Sequence, residues 1–188
     1  MKHLPATCSE RHTPILRTDL SSESVAMLLA EYGALREEII RKFDAANRLL
    51  EIDIIATGVF LGFGVRDDVP AIALLFFPIP VMFLSLAWGQ HFAAIGEIGN
   101  YIRTHIEPQS AGAINWETYL QTCRPRSLSV GLSIRIPNVI IFLLSQGLAL
   151  AVALSHGISA FSTQELLVTA LSVGAIGITA RSLFSLDI

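Results

Sequence analysis

The run Val69–Trp88, within DDVPAIALLFFPIPVMFLSLAWGQ, is 20 residues long, carries no charge and has Ser85 as its one polar side chain. A helix rising about 1.5 Å per residue would reach about 30 Å over this run, the hydrocarbon thickness of a bilayer. Three prolines interrupt it. Pro70 falls at the helix start, where a missing N–H costs little. Pro78 and Pro80 lie mid-span and free the carbonyls of Leu74 and Phe76 from their usual donors. A membrane bundle tolerates such a break when neighbouring helices, side chains or water satisfy the freed groups. A soluble core helix would more readily end there. The pair is expected to form a fixed packing kink, with a hinge or a water-lined break as the alternative.

Three further runs carry the same signal. Pro137–Ser155, PNVIIFLLSQGLALAVALS, is 19 uncharged residues, and Leu166–Ala180 is a shorter uncharged run between Glu165 and Arg181. Arg181 can snorkel and add its turn to that span. The weakest is Leu49–Val65, whose uncharged part is Ile54–Val65, with Glu51 and Asp53 expected at the interface. Four such runs leave a chain of 188 residues almost no helix with a polar face. Composition agrees: 52% of residues are hydrophobic and 15% charged, against about 25% charged in an ordinary soluble domain. The expected fold is all-α, a four-helix transmembrane bundle with cytoplasmic helical extensions.

Lysine and arginine counts along the chain give an independent reading. There are seven before Leu49, one between the first two spans, four from Gly89 to Ile136, none between the last two spans and one in the tail. Such alternation fits the positive-inside rule. Both termini and the middle segment are expected in the cytoplasm, and the first span is needed to keep the two basic segments on one side. Residues 1–20 hold no apolar h-region, so no cleaved signal is expected. They read as a disordered tail. Cys8 and Cys123 are far apart without metal spacing, which suits a reducing compartment.

Residues 21–48 read as an amphipathic helix. Serines are placed to cap it, and Glu23 lies in its first turn. Val25, Leu28, Tyr32, Leu35, Ile39, Phe43 and Ala46 step by three or four along one stripe. Tyr32, Leu35, Ile39 and Phe43 are the candidate cytoplasmic interaction face. A second helix is expected to continue from the second span through WGQHFAAIGEIGNYIRTHIE, whose small residues offer a docking face. After a loop at 107–115, NWETYLQ places Trp116 and Tyr119 at headgroup level. Arg124, Arg126 and Arg135 precede the third span in a stretch without acidic residues, and are candidate contacts to anionic headgroups. The two transmembrane hairpins are then 49–89 and 137–188, with the juxtamembrane segment 90–136 between them.

Catalytic signals are missing. No histidine has a partner at helical metal-ligand spacing, and there is no P-loop, G-x-G-x-x-G or G-x-S-x-G. No enzyme activity, cofactor or metal is expected. No basic run carries interleaved aromatics, so nucleic acid is not expected as a partner. Within the spans, Gln146 beside Ser145 is a costly amide unless bonded across helices, and marks a packing contact or a pathway. Gly58 and Gly62 form a G-x-x-x-G, a candidate helix-packing face.

The stretches EYGALREEI, LAWGQ, IGNYIRTHIE and NWE, with the glycine-rich first span between them, resemble a group of small bacterial four-span integral membrane proteins. The resemblance covers about residues 30–120, and its motifs are structural in kind. It implies a plasma-membrane location and no site. The chain departs from the group in having Glu51 and Asp53 where an apolar start to the first span is expected. Together these features lead to the expectation of an oligomeric, channel-like or membrane-perturbing module controlled through its cytoplasmic helices. The alternative is a non-enzymatic scaffold or sensor subunit that recruits a cytoplasmic protein.

Overall fold

A computed structural model describes residues 21–64, 71–110, 114–122, 130–155 and 163–185. The tail at 1–20, both cysteines, Pro70, Arg124 and Arg126 lie outside the described residues. Every regular element described is helical: α1 (Ser22–Gly64), α2 (Ala71–Phe76), α3 (Pro78–Tyr101), a π-helical turn (Ile102–Ile106), α4 (Glu107–Gln109), α5 (Trp116–Thr122), α6 (Val130–Ser155) and α7 (Thr163–Ser185). Three helical stretches are long and apolar enough to cross a membrane: Ile72–Gln109, Ile136–Ser155 and Thr163–Ser182. The stretch expected as the first span, Leu49–Val65, is not among them. In α1, Glu51 and Asp53 confine the uncharged part to the last turns before Gly64.

The chain divides into two compact units. The first holds α1 up to Lys42 and the described chain from Ala94 to α5. Ser21 starts α1: its Oγ accepts from the Ser24 N–H at 3.2 Å, and its carbonyl takes the Val25 N–H at 3.1 Å. Two exposed i, i+4 pairs, Glu37–Arg41 and Glu38–Lys42, line the outer face. Each adds a few tenths of a kcal/mol at about this exposure. Tyr101 donates to Glu31 at 2.8 Å, and Arg36 meets Glu117 at 3.5 Å, so α3 and α5 both hold to α1.

Pro108 shapes the end of this unit. It has no N–H, and its ring crowds the carbonyl four residues back, that of Thr104. Just upstream the helix widens into the π-helical turn, where the Glu107 N–H reaches the Ile102 carbonyl. Ile102 and Ile106 are buried by this turn. Glu107 is buried too, and its carboxylate accepts the Glu117 and Thr118 N–H groups that open α5.

The second unit holds α1 from Phe43, α2, α3 to Ala93, α6 and α7. Ala46 and Leu50 of α1, Val81 and Trp88 of α3, and Val139, Phe142 and Ala149 of α6 share one core with Phe77. The Trp88 ring lies 4.4 Å from Phe92 and 6.0 Å from Phe142 by centroid, the latter edge-on. Phe43 meets Phe92 edge-on at 6.2 Å. A second cluster joins Leu74 and Leu75 of α2 to Ala153 of α6 and Val168 of α7. Gly64 closes α1 against α2, where an added Cβ would fall 2.6 Å from a Leu74 methyl.

Phe77 is the break between α2 and α3. Its N–H turns back to the Leu74 carbonyl at 3.2 Å, three residues rather than four away. So the Leu74 carbonyl, expected to be orphaned by Pro78, is taken locally. The carbonyl served from outside is the next one, Leu75, which accepts from the Ser172 hydroxyl of α7. A side chain of a neighbouring helix thus mends the broken ladder. In α6 the helix begins at Val130, so Pro137 sits inside it rather than at its start.

Candidate functional site

The four long helices of the second unit bring polar side chains into its buried interior. From α1 come Asp53 and Thr57, from α3 Ser85 and Trp88, from α6 Ser145 and Gln146, and from α7 Ser172 and Thr179. Asp53, Ser85, Gln146, Ser172 and Thr179 are wholly buried. Local register explains the set. Asp53 and Thr57 are four apart and Ser85 and Trp88 three apart, so each pair shares a helix face. Ser172 and Thr179 are seven apart and do likewise.

Among the described residues, three bonds between side chains cross from helix to helix here, besides the Ser172 bond to the Leu75 carbonyl. The Ser145 hydroxyl on α6 lies 3.2 Å from Asp53 Oδ1 on α1. Gln146 Nε2 donates to Thr179 Oγ1 on α7 at 3.0 Å. Ser85 Oγ on α3 donates to the same Thr179 oxygen at 3.2 Å. Ser145 also faces its own helix, 2.9 Å from the Phe142 carbonyl, and Ser85 lies 2.7 Å from that of Met82. Each of these hydroxyls has one proton for two acceptors.

Four buried polar atoms in this layer have no hydrogen-bond partner: Asp53 Oδ2, Thr57 Oγ1, Gln146 Oε1 and Trp88 Nε1. Leaving one such group unpaired costs on the order of 1–3 kcal/mol. Four such atoms lie in one layer among the described residues, where water, an ion or a further donor would satisfy them. Three of the four are oxygens, which suits a positively charged or proton-donating guest. Among the described residues no three His, Cys, Asp or Glu side chains gather to hold a metal ion.

The residues singled out in the sequence fall as follows. Gln146 is at the centre of the layer. Pro78 is buried at the start of α3, while Pro80 is exposed. Gly58 and Gly62 are exposed, with open space where a Cβ would point, so their face meets no other helix of the chain among the described residues. Tyr32, Leu35 and Ile39 are half-buried, and Phe43 is exposed beside Phe92. Arg135 lies on α6. Asp53, expected at the membrane edge, is buried against Ser145. Thr57, Ser85, Ser172 and Thr179 are additions from the structure. A signal for Asp53 was present: the stripe that ends at Ala46 continues by steps of four, three and four to Leu50, Asp53 and Thr57.

Comparison with protein-family models, with curated proteins and with solved structures finds no match.

Proposed function

We propose that the protein is a channel-like integral membrane protein of four spans, in which the polar layer of the second unit forms the path for a small cation. The observation that carries this reading is the set of four unpaired buried polar atoms contributed by three helices. A polar group at membrane depth is expensive, and it is kept where it faces a pathway or a bound ion. The second half of α1 supplies the fourth span. Ile52, Ile54, Ile55, Val59 and Phe63 on it are at least half exposed, a face suited to lipid and unsuited to water. The lysine and arginine distribution then sets both termini and the first unit in the cytoplasm, where α1 and α3 extend. Homo-oligomers would form through lipid-facing surfaces, with the path inside each subunit.

The test is cation flux into vesicles carrying the purified protein at high density. Flux above that of empty vesicles, reduced by Gln146→Leu, supports the path. Vesicles as tight as empty ones would sink it. Native mass spectrometry in lipid nanodiscs counts the subunits, and a strict monomer removes the oligomer from the proposal without touching the path.

A second reading is a scaffold that recruits a cytoplasmic protein, favoured by α5. Trp116 and Tyr119 are exposed there and stack at 6.3 Å. Trp116→Ala with Tyr119→Ala would then release a co-purifying protein while membrane insertion survives. Unchanged co-purification refutes it.

A further inference from the structure

We propose that Asp53 is a proton-binding group of the membrane interior, taking up and releasing one proton at Oδ2 beside the Ser145 hydroxyl. This names the ion of the path proposed above and rests on that reading. The chemistry of the site leads to it in three steps. First, Asp53 is wholly buried, and its one resolved partner is the Ser145 hydroxyl. An ionised carboxylate so placed would need a cation, or several donors, to offset its lost hydration. Neighbouring helices bring hydroxyls, an amide and an indole, all neutral. Among the described side chains of the second unit, Asp44, Arg48 and Glu51 on α1 and Arg181 on α7 are exposed, and Glu165 in the first turn of α7 is half-buried. His91 on α3 is half-buried one turn beyond Trp88, and is the nearest titratable group along that helix face.

Second, the donor count is short by one. Ser145 has a single proton, and the Phe142 carbonyl at 2.9 Å competes for it with Asp53 at 3.2 Å. When Ser145 serves Phe142, both oxygens of Asp53 are without a donor.

Third, one added proton offsets the missing donors. Bound at Oδ2 it neutralises the carboxylate, so the buried group no longer needs a counter-charge. Thr57 Oγ1, four residues on, is unpaired as well and makes no hydrogen bond to Asp53. No bond other than O–H forms or breaks, and the proton leaves by the same atom. Gln146 Oε1, also unpaired, and the adjoining Thr179–Ser85 contacts continue the polar layer from α6 to α7 and α3.

Dicyclohexylcarbodiimide, an apolar reagent that modifies carboxyl groups carrying a proton, tests this on the full-length protein in vesicles. Mass spectrometry of the digested protein reads the modified residue. The expected result is modification of Asp53 in the bilayer at neutral pH, unaffected by sodium and lost in Asp53→Asn, with circular dichroism showing that variant folded. Two results would overturn the proposal: an unmodified Asp53 in the folded protein, or protection by sodium, which would make the site one for a metal cation. Proton flux, followed with a dye inside the vesicles, separates this proposal from the channel reading. Flux with Asp53 unmodified defeats the proton site alone. A modified Asp53 without flux defeats the channel alone.

Discussion

Among the described residues two carboxylates are buried, one in each unit, and their surroundings differ. Glu107 retains 4% of its exposure and Asp53 none. Around Glu107 both oxygens are used. Oε1 accepts the Glu117 N–H at 2.6 Å, and Oε2 accepts the Thr118 N–H at 3.0 Å together with the Thr118 hydroxyl. These are the free N–H groups at the start of α5, and a carboxylate there meets the positive end of the helix dipole. Around Asp53 one hydroxyl is shared and one oxygen has nothing. The same functional group is fully partnered in one unit and half unpartnered in the other. What decides between the two is the number of fixed donors the fold supplies.

The contrast predicts a wide spread of stability effects. Glu107→Ala strands two N–H groups and a hydroxyl, and should destabilise the attachment of α5 by about 2–3 kcal/mol. Hydrogen exchange of the α5 amides reads it directly, as a loss of protection confined to the first unit. Unchanged protection would mean that the cap is idle. Ser172→Ala is next. It removes the outside donor from the Leu75 carbonyl at the helix break and should cost about 1–2 kcal/mol, read as a lower unfolding midpoint in detergent. If Ser172→Ala unfolds like wild type, the break is satisfied some other way and the proline pair needs no partner. Asp53→Asn should shift the midpoint by less than about 1 kcal/mol in either direction, since a buried carboxylate with so little support contributes little to stability. A large loss there would turn Asp53 into a fastener like Glu107 and erase the contrast.

How much of this was legible in the sequence depends on the kind of pattern each feature leaves. Two of the three apolar helices could be read from length and charge alone, because a run of 19 or 20 uncharged residues has few other fates, and the third from the shorter run Leu166–Ala180 with Arg181 adding its turn. The helix break was legible as well, since proline fixes its own consequences. Its repair was not: nothing local marks Ser172 as the donor, and the two residues meet only after folding across 97 positions. Asp53 was half legible. Its place on the stripe through Ala46 and Leu50 is written in the sequence, but a carboxylate's charge argues for water. Glu107 was invisible for the same reason as Ser172. Its partners on α5 lie ten and eleven residues on, beyond a loop whose path the sequence does not specify.

The smallest expected effect concerns Glu117, beside the Glu107 cap. Burial holds its carboxyl above the ordinary carboxylate range; Arg36 at 3.5 Å lowers it in part, and the negative charge of Glu107 raises it further. A carboxyl whose pKa is higher folded than unfolded binds its proton more tightly in the folded state. Its contribution to stability is therefore full below the ordinary carboxylate pKa and is lost as pH rises through the raised folded value. The first unit should loosen slightly between acid and neutral pH for this reason. Glu117→Gln, which keeps the shape and removes the titration, should flatten that part of the profile. Arg36→Met should steepen it by removing the one opposing charge. Hydrogen exchange of α5, corrected for the intrinsic pH dependence of exchange, compares the three proteins. An identical slope in wild type and Glu117→Gln would show that Glu117 ionises in the folded unit as it does in the unfolded chain. The burial of its neighbour Glu107 would then be tolerated by the helix N–H groups alone, which would place the whole difference between the two buried carboxylates in the donors α5 provides.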